Sequence, residues 1–296
     1  MRLKRLTVCL WTLHSASLLM AGETEHRHRI MVAQYQGPNG NRLLEVSPEG
    51  KQTWEHKPPS ICVMFQILPK QHLLYAYGGN PTGVREIDRK QNVVWDYVSQ
   101  CAQVMAGERL PNGNTLLAEQ GPSRVVEVNP KREVVSSVTV PNREEAFHRQ
   151  LRLVHRLKNG NVLAAIEAEG VAREVDPNGK IVWEITGLAD VYEALRLPNG
   201  NTLVACGTQK RVIEVTSAGK IVWELTAQDV PELNLTWITS LQVLRDGNFV
   251  IGNFLRGQEG KGAHAFEINR AKQVLWKFAD HTMVKTATMV RVLDRQ

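Results

Sequence analysis

LPNGNTLVACGTQKRVIEVTSAGKIVWEL (197–225) and LKNGNVLAAIEAEGVAREVDPNGKIVWEI (157–185) are two copies of one unit, and the pattern they share specifies an all-β fold. Each alternates apolar and polar residues between clusters of Gly, Pro, Asn and Asp, which is the grammar of short strands and turns. With the residues just upstream, the second copy divides into four strands: LRLVHRL (151–157), NVLAAIE (161–167), VAREVD (171–176) and KIVWEIT (180–186). The turns are explicit. LPNGNTL (110–116), LKNGNVL (157–163), LPNGNTL (197–203) and LRDGNFV (244–250) join first to second strands, and Asn-Gly or Asp-Gly accepts the positive φ of a tight hairpin. No long stretch has helical periodicity.

The unit recurs six times, marked by a Glu and a Trp nine positions later: Glu45 and Trp54, Glu86 and Trp95, Glu174 and Trp183, Glu214 and Trp223, Glu267 and Trp276. The third copy, at Glu127, has Ser136 in place of Trp, which predicts a looser seam there. Glu-to-Glu spacings of 41, 41, 47, 40 and 53 residues signal a repeat architecture with local insertions. Four-stranded units of this length cannot bury their faces alone, and the radial solution is an all-β, six-bladed β-propeller of antiparallel blades. The chain opens with only three strands of a unit, RIMVAQ (29–34), RLLEVS (42–47) and QTWEHK (52–57), and ends with a lone first strand, TATMVRVLD (286–294). Joining them makes one composite blade and closes the ring without exposed inner edges. The recurrent Trp is expected to wedge between blades.

Residues 1–22 read as a secretory signal: Arg2, Lys4 and Arg5 precede an apolar stretch too short to span a membrane, with small residues near Ala21. Residues 23–28 form a linker and 29–296 a single propeller domain, exported to the periplasm or secreted. Removing the signal lowers the formal net charge from +6 to +3, and without a basic run this excludes a nucleic-acid partner. No transmembrane segment is read elsewhere, and the expected state is monomeric. Cys62, Cys101 and Cys206 would remain, with a Cys62–Cys101 bridge or small apolar fillers both open. No Cys or His spacing marks a metal site.

Loop lengths point to the working face. One-to-two and three-to-four turns are short and uniform, whereas the two-to-three loops, such as GGNPTG (78–83) and NFLRGQEGKGAH (253–264), vary in length, as binding loops do. The site is therefore expected at the channel mouth on the variable face, lined by Cys62, Cys101, Gln103, His148, Arg149, Gln150, Tyr192, Trp237 and Lys285, with His264 following a Gly-Lys-Gly loop. His148 beside Arg149 is the pair best suited to acid, base or anion-anchoring chemistry. His155 reads as structural. The expected ligand is small and polar or anionic, or a protein or glycan lies across the face. A purely structural role would instead predict an apolar strip on a blade edge or outer surface.

The recurrent Asn-Gly-Asn turn, Glu-Val-Asp strand and Gly-Lys-x-Val-Trp strand, over about residues 29–294, resemble the repeats of bacterial PQQ-like β-propeller proteins. That resemblance implies the fold. It leaves function open, since such repeats occur in quinoprotein dehydrogenases, outer-membrane assembly scaffolds and exported propellers without assigned activity. PQQ is the one cofactor it raises, but Asp176-Pro177-Asn178-Gly179 is one residue shorter than the quinoprotein turn, and neither an adjacent Cys pair nor a calcium site is present. The chain is also similar to six-bladed arylsulfotransferases, which implies a channel-mouth His nucleophile with a nearby Arg. His148 and Arg149 are the candidates for that role, although they sit in FHRQ (147–150) without that family's His-Asp pairing.

Overall fold

The computed structural model describes residues 28–37, 39–143 and 147–294, so the signal-peptide reading of residues 1–22 and most of the linker lie outside the described residues. Six four-stranded sheets stand in a ring. The composite first blade holds β1 (Ile30–Gly37), β2 (Gly40–Val46), β3 (Gln52–His56) and, as its innermost strand, β24 (Ala287–Val292). The second holds β4 (Phe65–Ile67), β5 (Leu73–Gly78), β6 (Thr82–Ile87) and β7 (Val93–Val98), and the third β8 (Gln103–Arg109), β9 (Thr115–Gln120), β10 (Arg124–Val128) and β11 (Val134–Thr139). The fourth holds β12 (Val154–Arg156), β13 (Val162–Ile166), β14 (Val171–Val175) and β15 (Ile181–Ile185). The fifth holds β16 (Val191–Arg196), β17 (Thr202–Cys206), β18 (Arg211–Val215) and β19 (Ile221–Thr226), and the sixth β20 (Ile238–Val243), β21 (Phe249–Asn253), β22 (Ala265–Ile268) and β23 (Val274–Phe278). β24 pairs antiparallel with β1 from Ile30↔Val292 to Gln34↔Ala287, which is the expected closure.

The Asn-Gly turns differ in detail from a two-residue hairpin. Leu110 donates to Asn114 O and Gly113 to Leu110 O, with Gly113 alone taking positive φ at 87°. The same pair of bonds recurs at Leu157, Leu197 and Leu244. These are three-residue loops in which glycine carries the left-handed position, and the Asn side chain has another task.

That task is to orient the marker Glu. Glu174 accepts from Asn159 and Asn161, and Glu214 from Asn199 and Asn201. Each marker Glu then reaches a cation of the next blade: Glu86 to Arg109 at 2.9 Å, Glu127 to Arg156 at 3.2 Å and Glu174 to Arg196 at 2.6 Å. Where the first strand has no Arg at that place, the three-to-four turn supplies one, Arg89 for Glu45 and Arg270 for Glu214. At the closing seam His28 pairs with Glu267 at 2.6 Å.

The Trp residues complete this arrangement as caps more than wedges. Trp54, Trp95, Trp183 and Trp223 donate their indole N–H to Arg89, Pro130, Ser217 and Arg270 carbonyls of the following blade. Arg89, Arg109, Arg196 and Arg270 lie over the same rings at 4.7 to 6.0 Å. Trp95 and Trp276 are buried, whereas Trp54, Trp183 and Trp223 are half-buried at the seam surface. The core lies beneath, between the sheet faces, and includes Tyr75, Tyr77, Phe249 and Phe266.

Candidate functional site

The variable-face mouth is built around the start of the fourth blade. Gln103, at the head of β8, donates through Nε2 to Gly78 O, which leaves Oε1 to accept from His148 Nδ1 at 2.8 Å. The imidazole proton is thereby placed on Nδ1, and Nε2 keeps the lone pair of a neutral ring. Burial holds the His148 pKa below its ordinary value, and the Arg152, Arg149 and Arg256 cations add to the depression against the opposing charge of Glu167. Arg149 reaches Glu167 at 3.0 Å and Asp190 at 2.7 Å, and Arg152 binds the same Glu167 while lying 5.1 Å over the Tyr192 ring. Arg152 Nη1 is buried without a hydrogen bond. Two guanidinium groups thus share one carboxylate.

Other expected residues have different surroundings. Trp237 packs edge-on against Phe254, which also meets Tyr35, and Gly207 has no Cβ to collide with the indole nitrogen. Lys285 is exposed. Gln150 is buried and accepts from the Gly121 amide, so it orders the loop beside His148. Cys62 and Cys101 are free thiols. Burial drives Cys62 up to about 12 and raises Cys101 as well, which leaves both protonated and inert near neutrality. His264 does not stand on a loop that could curl round an anion. It is fully buried just before β22, between β21 and β23, where its backbone bonds Asn253 and Phe278 and its ring packs on Phe278 and His281. Burial and the neighbouring His281 push its pKa down to about 4, so it is a neutral core histidine.

The channel also holds a cavity of about 390 Å³, lined by residues from all six innermost strands and by none of the ten residues expected from sequence. Five of its lining residues, Gln66, Glu108, His155, Gln242 and Arg291, stand two positions before the Leu that ends each first strand, and Glu193 joins them from β16. A bulge at Tyr192 shifts the β16 register just before Glu193. His155 lies between Glu108 at 3.7 Å and Glu193 at 3.6 Å, and Arg291 pairs with Glu193 at 3.0 Å. Burial lowers the His155 pKa, but the two carboxylates outweigh it and carry the ring up to about 9. About a quarter of its side chain still meets the channel. Sequence reading assigns His155 a structural role and misses this group, because its six members come from six separate repeats. Their common place before the closing Leu was the available signal.

Among the described residues no group of three or more His, Cys, Asp or Glu is placed to hold a metal ion, and no helix is long and apolar enough to cross a membrane. The chain matches no protein-family model and no curated protein sequence. Solved structures share its fold. A protein of unknown function from Bacteroides caccae is 24% identical, with a TM-score of 0.79 over 90% of this chain and 98% of that one. A catalytically inactive virginiamycin B lyase from Staphylococcus aureus, solved with quinupristin, is 10% identical, with a TM-score of 0.59 over 86% of this chain and 85% of that one. The WD40 β-propeller domain of Doa1 is 13% identical, with a TM-score of 0.57 over 72% and 69%. At these identities the likeness is one of fold: this chain is a six-bladed β-propeller.

Proposed function

We propose that this protein is an exported PQQ-like propeller that binds a small polar anion at the variable-loop mouth of its channel, without a reaction of its own. The observation that carries the reading is the cationic cluster beside His148: Arg149 and Arg152 converge on Glu167, Asp190 takes a second nitrogen of Arg149, and Arg152 Nη1 is buried with no hydrogen bond. Arg149 and His148 are turned to different partners, Glu167 with Asp190 and Gln103, so they do not converge on one reacting atom. The lone pair on His148 Nε2 favours a ligand that also offers a hydroxyl donor, such as a hydroxy acid or a phosphorylated sugar. Isothermal titration with inorganic phosphate and with malate tests this. Binding that weakens at least about tenfold in Arg152→Met supports it, and equal binding by the variant rejects it. Native mass spectrometry of protein taken from its own host tests export and cofactor together. Retention of residues 1–22 would refute export, and an added mass equal to PQQ would replace the binding role with an oxidoreductase.

One observation favours a second reading, a scaffold that docks a protein on its rim. Four consecutive outer strands begin with an exposed apolar pair: Val93 and Val94, Val134 and Val135, Ile181 and Val182, Ile221 and Val222. Edge strands carrying such residues are surfaces that partners cover. Replacing Val94, Val135, Val182 and Val222 with Thr should release a rim-bound partner from envelope extracts while leaving the fold intact. A partner retained by both proteins binds elsewhere.

A further inference from the structure

The channel cavity lies apart from the mouth and has its own chemistry. Met64, Phe65, Leu153 and Met289 give it an apolar wall, and Glu108, His155, Glu193 and Arg291 give it charges of both signs. The repeats differ in what they place at this register, and the fold needs only part of it. Gln66 accepts from Arg109 N at 2.7 Å and donates to Arg109 O, and Gln242 makes the same two bonds to Val292. Each of these amides ties its blade to the next. Glu108 holds the same register and accepts from Arg156 N at 3.2 Å, but a carboxylate has no proton to give the Arg156 carbonyl. Glutamine would serve that seam better, so the seam does not account for the charge.

The remaining hydrogen-bonding capacity in the cavity is unevenly distributed. Glu193 is satisfied by Leu241 N and Arg291 Nη2. Glu108 has one oxygen with no hydrogen bond among the described residues. On the cationic side, His155 Nε2 is 3.6 Å from Glu193 and makes no hydrogen bond, and the second terminal nitrogen of Arg291 has only Val290 O at 3.5 Å. One acceptor and two donors are therefore underused beside an apolar wall. Two acidic side chains, Glu108 and Glu193, stand against two basic ones, His155 and Arg291, so a ligand carrying one group of each sign is matched better than a simple cation or anion.

We propose that the cavity binds a small zwitterion, an α-amino acid with an apolar side chain: its ammonium on Glu108, its carboxylate toward His155 and Arg291, and its side chain against Met64, Leu153 and Met289. A volume of about 390 Å³ has room for a ligand of that size. This site does not depend on the anion reading of the mouth, and its variants leave Arg149 and Arg152 untouched. Titration calorimetry on the whole protein should compare leucine with 3-methylbutylamine, which lacks the carboxylate, and 4-methylpentanoate, which lacks the ammonium. Leucine is expected to bind at least about tenfold more tightly than either, a difference of about 1.4 kcal/mol. Glu108→Gln copies the arrangement at Gln66 and Gln242, so it should keep a single cooperative melt, lowered only by the lost His155–Glu108 pair, and lose leucine binding. Equal affinity for the amine or the acid, no binding of leucine at millimolar concentration, or full leucine binding by Glu108→Gln would each overturn the proposal. The three-ligand comparison decides it even if that variant fails to fold.

Discussion

Glu174 shows how much one side chain can organise. It is buried, takes two hydrogen bonds from its own Asn159 and Asn161, and meets Arg196 of the next blade, whose guanidinium also covers Trp183. Arg196→Met would keep the stem but leave a buried carboxylate short of its charged donor. The expected loss is about 1 to 3 kcal/mol in a urea melt, and a neutral result would mean that the Asn pair suffices. Trp183→Ala removes a half-buried ring, so its cost should fall below the roughly 3–5 kcal/mol of a fully buried aromatic. The histidines set a pH window. His155, held up to about 9 against an unfolded value near 6.5, contributes stability in full below about 6.5 and loses it as pH rises through 9. His264, pushed down to about 4, contributes fully above 6.5 and loses it as pH falls toward 4. Thermal melts should therefore peak near pH 6.5, and His155→Gln should flatten the alkaline side. An alkaline limb unchanged in that variant would show that the ring is not held protonated.

At the scale of the element, β24 carries the closure. It pairs with β1, and its Met289 and Arg291 line the channel, so it is at once the last strand of the chain and the innermost strand of the first blade. Deleting residues 286–294 would expose the inner edge of β1 and open the hydrophobic cluster of Ile30, Val32, Val290 and Val292. Loss of a cooperative melt and of soluble protein is expected, and a sharp transition would refute ring closure as the source of cooperativity. This element was legible in sequence because alternation and missing strands are local facts. The arginines of Arg109, Arg156 and Arg196 were equally visible, each one residue before a Leu-x-Asn-Gly-Asn turn. The cavity was hidden for a physical reason: Glu108 and Glu193 look like ordinary strand residues until bulges and register align six repeats round an axis. His264 misled because a glycine-rich approach resembles a loop, whereas the residue is buried just before β22 and bonded to the strands on both sides.

For the whole molecule, the ring is a series of six seams, and its weakest seam should set where it opens. Five seams have a Trp beside the Glu and its basic partner, and four of these Trp residues donate across the seam to a carbonyl of the next blade. The seam between the third and fourth blades has Ser136 opposite Glu127, so it keeps the Asn112, Asn114 and Arg156 bonds to that Glu but has neither the indole donor nor the ring beneath an arginine. Hydrogen exchange should therefore find the amides of β11 and of the facing Asp176–Gly179 turn opening more readily than their counterparts in β7, β15 and β19. The mouth residues Gln103 and His148 bridge this same pair of blades, so ligand at the mouth should raise protection there first. Uniform exchange across all seams would mean that the Glu–Arg pair alone holds a seam closed, and that tryptophan contributes packing area without governing where the ring parts.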